Sequence, residues 1–306
     1  MAGPKNSKHA YMTSQLLNFA PDSYLERTSR PIYAIVFLLP FIVFYEIGTI
    51  LINTDVLNQS QVRVVAFVWL QRFLQYLGTG SRFAWAAPPL VVIVILAGLQ
   101  LTSRKPWYFC LGDYTPMVVE CTLLAVPLIV LSLFFNSPAP DRSEVARYES
   151  SGPPALAYTV EPGDSPGSAV PLAAPLAGGG PQTHSLMANI VTGVGAGIYE
   201  ELVFRLILIC LLMVLLQDVI GASHRNAIIL SVLISAALFS AHHHIIYMDG
   251  HLGQSSPFRW TEFGFRTLAG VYFAGLFAIR GFGITAGTHA FYDIIATVVN
   301  AIFFVH

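Results

Sequence analysis

The chain has 306 residues, 55% of them hydrophobic and 11% charged, with a formal net charge of −1. Soluble domains carry roughly 25% charged residues, so this composition points to a bilayer rather than water as the main solvent, and the charge balance offers nothing to nucleic acid. The three cysteines, Cys110, Cys121 and Cys210, lie in apolar stretches without CxxC spacing. That excludes a disulfide framework and a Cys-based zinc site, and reads them as small buried hydrophobes.

Residues 1–30 are polar and include Lys5, Lys8, Arg27 and Arg30. They are expected to form a cytoplasmic tail rather than a signal peptide, because the apolar run that follows is too long for a signal core and no A-x-A site follows it. A span needs about 20 mostly apolar residues. Candidates are 31–53, 84–101, 114–136, 186–217, 225–246, 262–280 and 282–305. The expected fold is therefore an all-α, polytopic membrane bundle of about seven to eight helices. Stretch 62–80 is apolar at Val64, Val65, Val68, Phe73 and Leu77 but carries Arg63, Gln71, Arg72 and Gln75. It reads as a helix lying at the interface, with spanning as the alternative. If it does not cross, the N-terminal basic residues, Arg104, Lys105, Arg225 and Arg280 all share the cytoplasmic side.

Residues 137–183 are rich in Pro, Gly, Ser and Ala, with too little apolar periodicity for a core. They read as a disordered linker between N-terminal membrane helices (31–136) and a C-terminal membrane domain (184–306). The chemistry is expected in the second part, since Glu46 and Glu120 are nearly the only ionisable residues in the earlier spans.

An ionised carboxylate at membrane depth costs about 3 kcal/mol on insertion scales. The segment GAGIYEELVFRLILIC nevertheless holds Glu200, Glu201 and Arg205. Glu201 and Arg205 are four apart, share a helix face and can pair. Glu200 is turned about 100° away and lacks an intrahelical cation. Gly193 and Gly197 just before them would let another helix approach closely. Phe239 and His243 are four apart on the next helix, within LFSAHHHIIY, and His289 and Asp293 are four apart on the last. Three polar pairs on three apolar helices favour one shared site over three separate packing ornaments. Upright spans would leave His243 and His289 about 15 Å apart in depth, so convergence calls for tilted helices, a short span or a turn at Gly281–Gly283 dipping into the membrane.

The motifs EExxxR (Glu200, Glu201, Arg205), FxxxH (Phe239, His243) and HxxxD (His289, Asp293) resemble, in order, those of the CAAX-protease and bacteriocin-processing (CPBP) family of intramembrane endopeptidases, which includes the Rce-type prenyl-protein proteases. The resemblance covers roughly 186–305. It implies hydrolysis of a peptide bond in a membrane-associated protein or peptide within the bilayer; the expected location is the plasma (inner) membrane of a prokaryote. It assigns Glu200 to polarising the water, His243 to holding that water, and His289 with Asp293 to the oxyanion, with Glu201 and Arg205 in support. Asp stands where the family often has Asn, and an ionised Asp cannot donate a hydrogen bond; Asp293 would be protonated, orient His289 or bind a metal. Family patterns with a histidine directly after Ala favour His242 over His243, whereas strict FxxxH spacing favours His243. The cofactor expectation is none or one divalent metal, zinc included, on Glu200, His243, His289 and Asp293; HExxH is absent. Two other readings of intramembrane Glu and His stay open: a proton-coupled transporter and a non-catalytic scaffold or immunity protein.

Overall fold

Long apolar runs with no polar face become helices that bury one side on their neighbours and leave the other side equally apolar. In the computed structural model, helix α2 (Pro31–Asn53) buries Tyr33, Phe37 and Tyr45 while Leu39, Val43 and Ile47 point outward. A helix apolar all round is at home in hydrocarbon. The structure describes residues 22–53, 63–78, 85–136, 157–160, 169–171, 186–248, 251–254 and 258–303. The chain is a helical bundle and a multi-pass membrane protein, with five helices among the described residues long and apolar enough to cross a membrane.

In chain order the described elements are α1 (Tyr24–Thr28), α2, strand β1 (Arg63–Val64), α3 (Val65–Tyr76), α4 (Ala87–Ser103), α5 (Tyr114–Asn136), β2 (Ala157–Val160), β3 (Ala169–Pro171), α6 (Leu186–Val219), α7 (His224–His242), β4 (Ile245–Met248), β5 (His251–Gln254) and α8 (Trp260–Phe303). Two of these differ in kind from simple spans. α6 starts as an α-helix through Glu201, loosens into π-helix over Leu202–Leu208 and does so again over Val214–Val219. α8 is broken at Gly281, where φ is 73° and ψ 179°. Phe273 and His289 are sixteen residues apart, about 24 Å along a straight helix, yet their rings stack at 4.5 Å. The chain therefore reverses at Gly281, and α8 is a hairpin of two limbs, 260–280 and 282–303. A left-handed turn of this kind suits glycine, and a Cβ there would lie 2.9 Å from the Ser29 carbonyl oxygen.

The second limb of α8 is the central helix. It meets α2 where Gly283 lies against Ala34, α5 where Gly287 lies against Cys121, and α6 where Gly197 lies against Ala290. At Gly197 an added Cβ would come within 2.5 Å of the Ala290 backbone nitrogen. The small-residue face of α6 thus receives the helix that carries His289 and Asp293.

Stretch 62–80 turns out shorter and more deeply packed than an interfacial helix. α3 has twelve residues, about 18 Å, too short to cross about 30 Å of hydrocarbon. Val64 through Val68 are buried, because the Val64 N–H donates to the Tyr45 hydroxyl at 3.4 Å and Phe67 packs edge-on to Tyr199 at 4.9 Å. Exposure rises only towards Phe73 and Tyr76. Within 137–183, β2 pairs antiparallel with β3 and with β1, Tyr158 opposite both Arg63 and Pro171; the other residues of that stretch lie outside the described residues. β4 and β5 form an antiparallel pair after α7, Ile245 opposite Gln254. The cysteines correct a simple expectation: Cys121 is buried, but Cys110 and Cys210 are exposed. For Cys210 that is a place on the outward, apolar side of α6, where a thiol serves as another hydrophobe.

One end of the bundle is polar. Arg280, beside the hairpin turn, makes a bidentate pair with Glu120 at 2.6 and 2.8 Å and also donates to Thr28, Ser29 and the Leu25 carbonyl. Arg27 holds Asp113 through two bonds of 3.0 Å, and Glu26 receives Lys105 at 2.8 Å. α1, the α4–α5 connection and the α8 turn are thereby tied at the same end.

Candidate active site

α6 carries Glu200 and Glu201 at the last α-helical turn before its π segment. Both are buried, with 1% and 0% of their surface exposed. The two side chains have separate company. Glu201 Oε2 lies 3.0 Å from Arg205 Nε as an ion pair without hydrogen-bond alignment, and its Oε1 accepts from His289 Nδ1 at 2.8 Å. It therefore joins two helices, beyond the Arg205 pairing expected from spacing. Arg205 is completely buried, with its guanidinium 4.2 Å from the Phe239 ring centre and 5.7 Å from that of Phe273. Aromatic faces of this kind hold a desolvated cation.

Glu200 points elsewhere. Its Oε1 lies 3.6 Å from His242 Nε2, and neither atom has a hydrogen-bond partner. The Nδ1 atoms of His242 and His243 both face the Phe239 carbonyl, at 2.5 and 3.0 Å. A carbonyl only accepts, so each ring carries its proton on Nδ1 and presents Nε2 as a lone pair when neutral. α3 covers this side, with Trp69 5.8 Å from His242.

Across from them is the second limb of α8. His289 stacks flat on Phe273 and touches Phe239 at 6.0 Å, and Phe239 in turn touches His243 at 5.2 Å. Phe239, one turn before His243, thus spans the depth difference that upright helices would leave. His289 Nε2 faces Asp293 Oδ2 at 3.6 Å. With Nδ1–H given to Glu201, a second proton must sit on either His289 or Asp293 for this approach to be favourable. Asp293 is pinned from behind: a Cβ at Gly193 would be 2.8 Å from its own Cβ.

These groups enclose a cavity of about 30 Å³. It is lined by Glu200, His243, His289 and Asp293 among polar residues, and by Phe239, Phe265 and Phe273 among apolar ones. That volume admits one or two water molecules. The cavity also includes Arg266 and Tyr292, which the motifs did not point to. Arg266 could have been flagged as an arginine inside a span, on the same i, i+3, i+7 face as Ala269 and Phe273.

All eight expected site residues come together in or beside this cavity. His242 is the histidine nearest Glu200, while His243 lines the cavity. The donors that could hold one ion, all within 4.8 Å of one another, are Glu200, His242 and His243. His289 and Asp293, expected in that set, lie on the far wall with His289 turned onto Glu201.

In comparison with known families, residues 182–295 match the model described as "Type II CAAX prenyl endopeptidase Rce1-like". No curated protein and no solved structure matches the chain. The match spans all three motifs and the helices that bring them around the cavity. Residues 182–295 are a domain of the CAAX-protease and bacteriocin-processing family.

Proposed function

We propose that this protein is an intramembrane endopeptidase that hydrolyses a peptide bond of a membrane-associated protein or peptide, with Glu200 as the general base. The family supports the coarse activity, a CAAX-type intramembrane protease. The observation that supports the finer reading is the Glu200 carboxylate, its Oε1 without a hydrogen bond, on the wall of a buried, water-sized cavity shared with His243, His289 and Asp293.

The step balances as a direct hydrolysis. Glu200 takes a proton from water, the water oxygen bonds to the scissile carbonyl carbon, and the C=O π pair moves onto oxygen. The tetrahedral species collapses, the C–N bond breaks, and Glu200 returns its proton to the leaving amine. His242, anchored through Nδ1 on the Phe239 carbonyl, steadies Glu200 and the water between them. Glu201 fixes the ring of His289, and Arg205 in turn balances Glu201. Since no Ser, Thr or Cys lines the cavity, an acyl-enzyme finds no nucleophile among the described lining residues.

Glu200, His242 and His243 also fit a divalent metal, because both imidazoles already give Nδ1–H to a backbone carbonyl, the usual support for a metal-bound histidine. Bound there, such an ion would supply Lewis-acid polarisation of water. The proposed substrates are prenylated CAAX-type C-terminal peptides or other membrane-anchored peptides, and the membrane is read as a prokaryotic plasma membrane with the N-terminus in the cytoplasm. The test reconstitutes the full chain in liposomes with prenylated and unmodified peptides and reads the products by mass spectrometry, with and without a chelator. New termini from at least one membrane-bound peptide are expected. Intact peptides throughout would remove the peptidase reading, and loss of cleavage with chelator, restored by zinc, would assign the ion.

A further inference from the structure

Peptide hydrolysis needs donors for the oxygen that becomes negative, and the motif residues offer at most one, on the His289–Asp293 pair. Asp293 Oδ2 faces His289 Nε2 at 3.6 Å, and His289 Nδ1 is committed to Glu201 at 2.8 Å. That pair stands beyond hydrogen-bond length and carries at most one proton for the cavity. His242 and His243 spend their Nδ1–H on the Phe239 carbonyl. Arg205 is held between Phe239 and Phe273 and is not among the lining residues.

Arg266 lines the cavity beside Glu200, His243 and Asp293. Its side chain is 13% exposed, so it stands on the rim between cavity and outside. Its contacts are loose: Nη1 is 3.4 Å from Glu262 Oε2 and 3.5 Å from His244 Nε2. A guanidinium has five N–H donors in a fixed fork, which leaves several to give. Resting on the peptidase reading above, we propose that Arg266 is a further catalytic residue, the donor that binds the developing oxyanion of the scissile carbonyl. A space for one or two waters brings its walls within hydrogen-bond reach of one inserted carbonyl oxygen. A preorganised cation in a dry site favours the transition state over the neutral ground-state carbonyl.

The test uses the full chain in liposomes, with Arg266→Gln, Arg266→Lys and the double variant Arg266→Gln/Asp293→Asn. For a peptide the wild type cleaves, Arg266→Gln is expected to lower kcat about 10²- to 10³-fold, the scale of losing one oxyanion donor, with KM nearly unchanged. Arg266→Lys should retain more activity than Arg266→Gln. Asparagine at 293 offers an amide donor, so the double variant should regain at least about tenfold over Arg266→Gln; a merely structural arginine would give no such rescue. Independently of turnover, a phosphinic peptide mimicking the tetrahedral species should bind Arg266→Gln about 10²-fold or more weaker than wild type, while the parent peptide binds both alike. Equal phosphinic binding, an unchanged kcat, a loss confined to KM, or no phosphinic binding by the wild type overturns the assignment. The peptidase reading fails separately, if Glu200→Gln cleaves as the wild type does.

Discussion

Two adjacent glutamates in one membrane helix share almost the same burial and do different work. Glu201 is the hub of an ion network, paired with Arg205 and with His289 from another helix. Breaking a buried charged pair costs about 3–5 kcal/mol. Glu201→Ala should therefore lower the melting temperature of the detergent-solubilised protein strongly and reduce the amount that accumulates in membranes. Glu200→Gln keeps the shape of a side chain with no committed partner at Oε1, so its melting temperature should stay within a few degrees of wild type. Thermal unfolding of the two variants side by side checks the split; equal destabilisation would put both residues in the scaffold. The Glu201–Arg205 and His289–Asp293 pairs were legible in the sequence because they are local, four residues apart. The Glu201–His289 bond, across 88 positions, was not, since spacing carries no information about which face of a distant helix it meets. The choice between His242 and His243 was equally beyond spacing: it depends on how α7 ends, with both rings turned back onto one carbonyl.

Elements place these residues by close approach. Gly197 lets the second limb of α8 touch the backbone of α6, and no side chain fits there: an added Cβ meets Ala290 N at 2.5 Å and Ala290 Cα at 2.8 Å. Overpacking costs about 1–3 kcal/mol where side chains yield, and backbone yields less. Gly197→Ala should destabilise by at least that range and also lose activity, since His289 moves with its helix. A circular-dichroism melt with an activity assay tests this; normal stability would mean the helices do not pack as described. The Gly193–Gly197 pattern was readable because it is a property of one helix. The hairpin at Gly281 was only half readable. Two apolar runs on either side of it announce two limbs, yet the level at which Phe273 meets His289 follows from the turn geometry. For α3, the polar residues point to an interface, while the burial of its apolar first turns under Tyr45 and Tyr199 depends on distant helices that its own sequence does not name.

At the scale of the whole molecule, the polar end holds the N-terminal helices to the α8 hairpin. Arg280, 5% exposed, is bound by Glu120 and by three groups of the α1 region. Arg280→Ala should cost about 3–5 kcal/mol, as for other broken buried pairs, and expose the α1 segment to limited proteolysis; unchanged protease resistance would contradict the clamp. The same end has a pH signature. The Arg30 hydrogen bond holds the Glu26 carboxyl below its usual value of 4.5; burial opposes it, and the Lys105 hydrogen bond adds to the lowering. A depressed folded-state pKa adds stability that is present above the unfolded value and is lost as pH falls through the folded one. The melting temperature should therefore drop below about pH 4.5, and Glu26→Gln should flatten part of that drop.

The proposed peptidase mechanism rests on Glu200 as the group that activates water in a buried site. The most direct measurement compares wild type and Glu200→Gln, reconstituted in liposomes at equal protein, for appearance of cleaved peptide by mass spectrometry, with melting temperature recorded for both. A general base contributes about 10²–10⁴-fold, so the variant should lose at least that much rate while melting like the wild type. Cleavage at the wild-type rate by a folded Glu200→Gln protein would contradict the assignment.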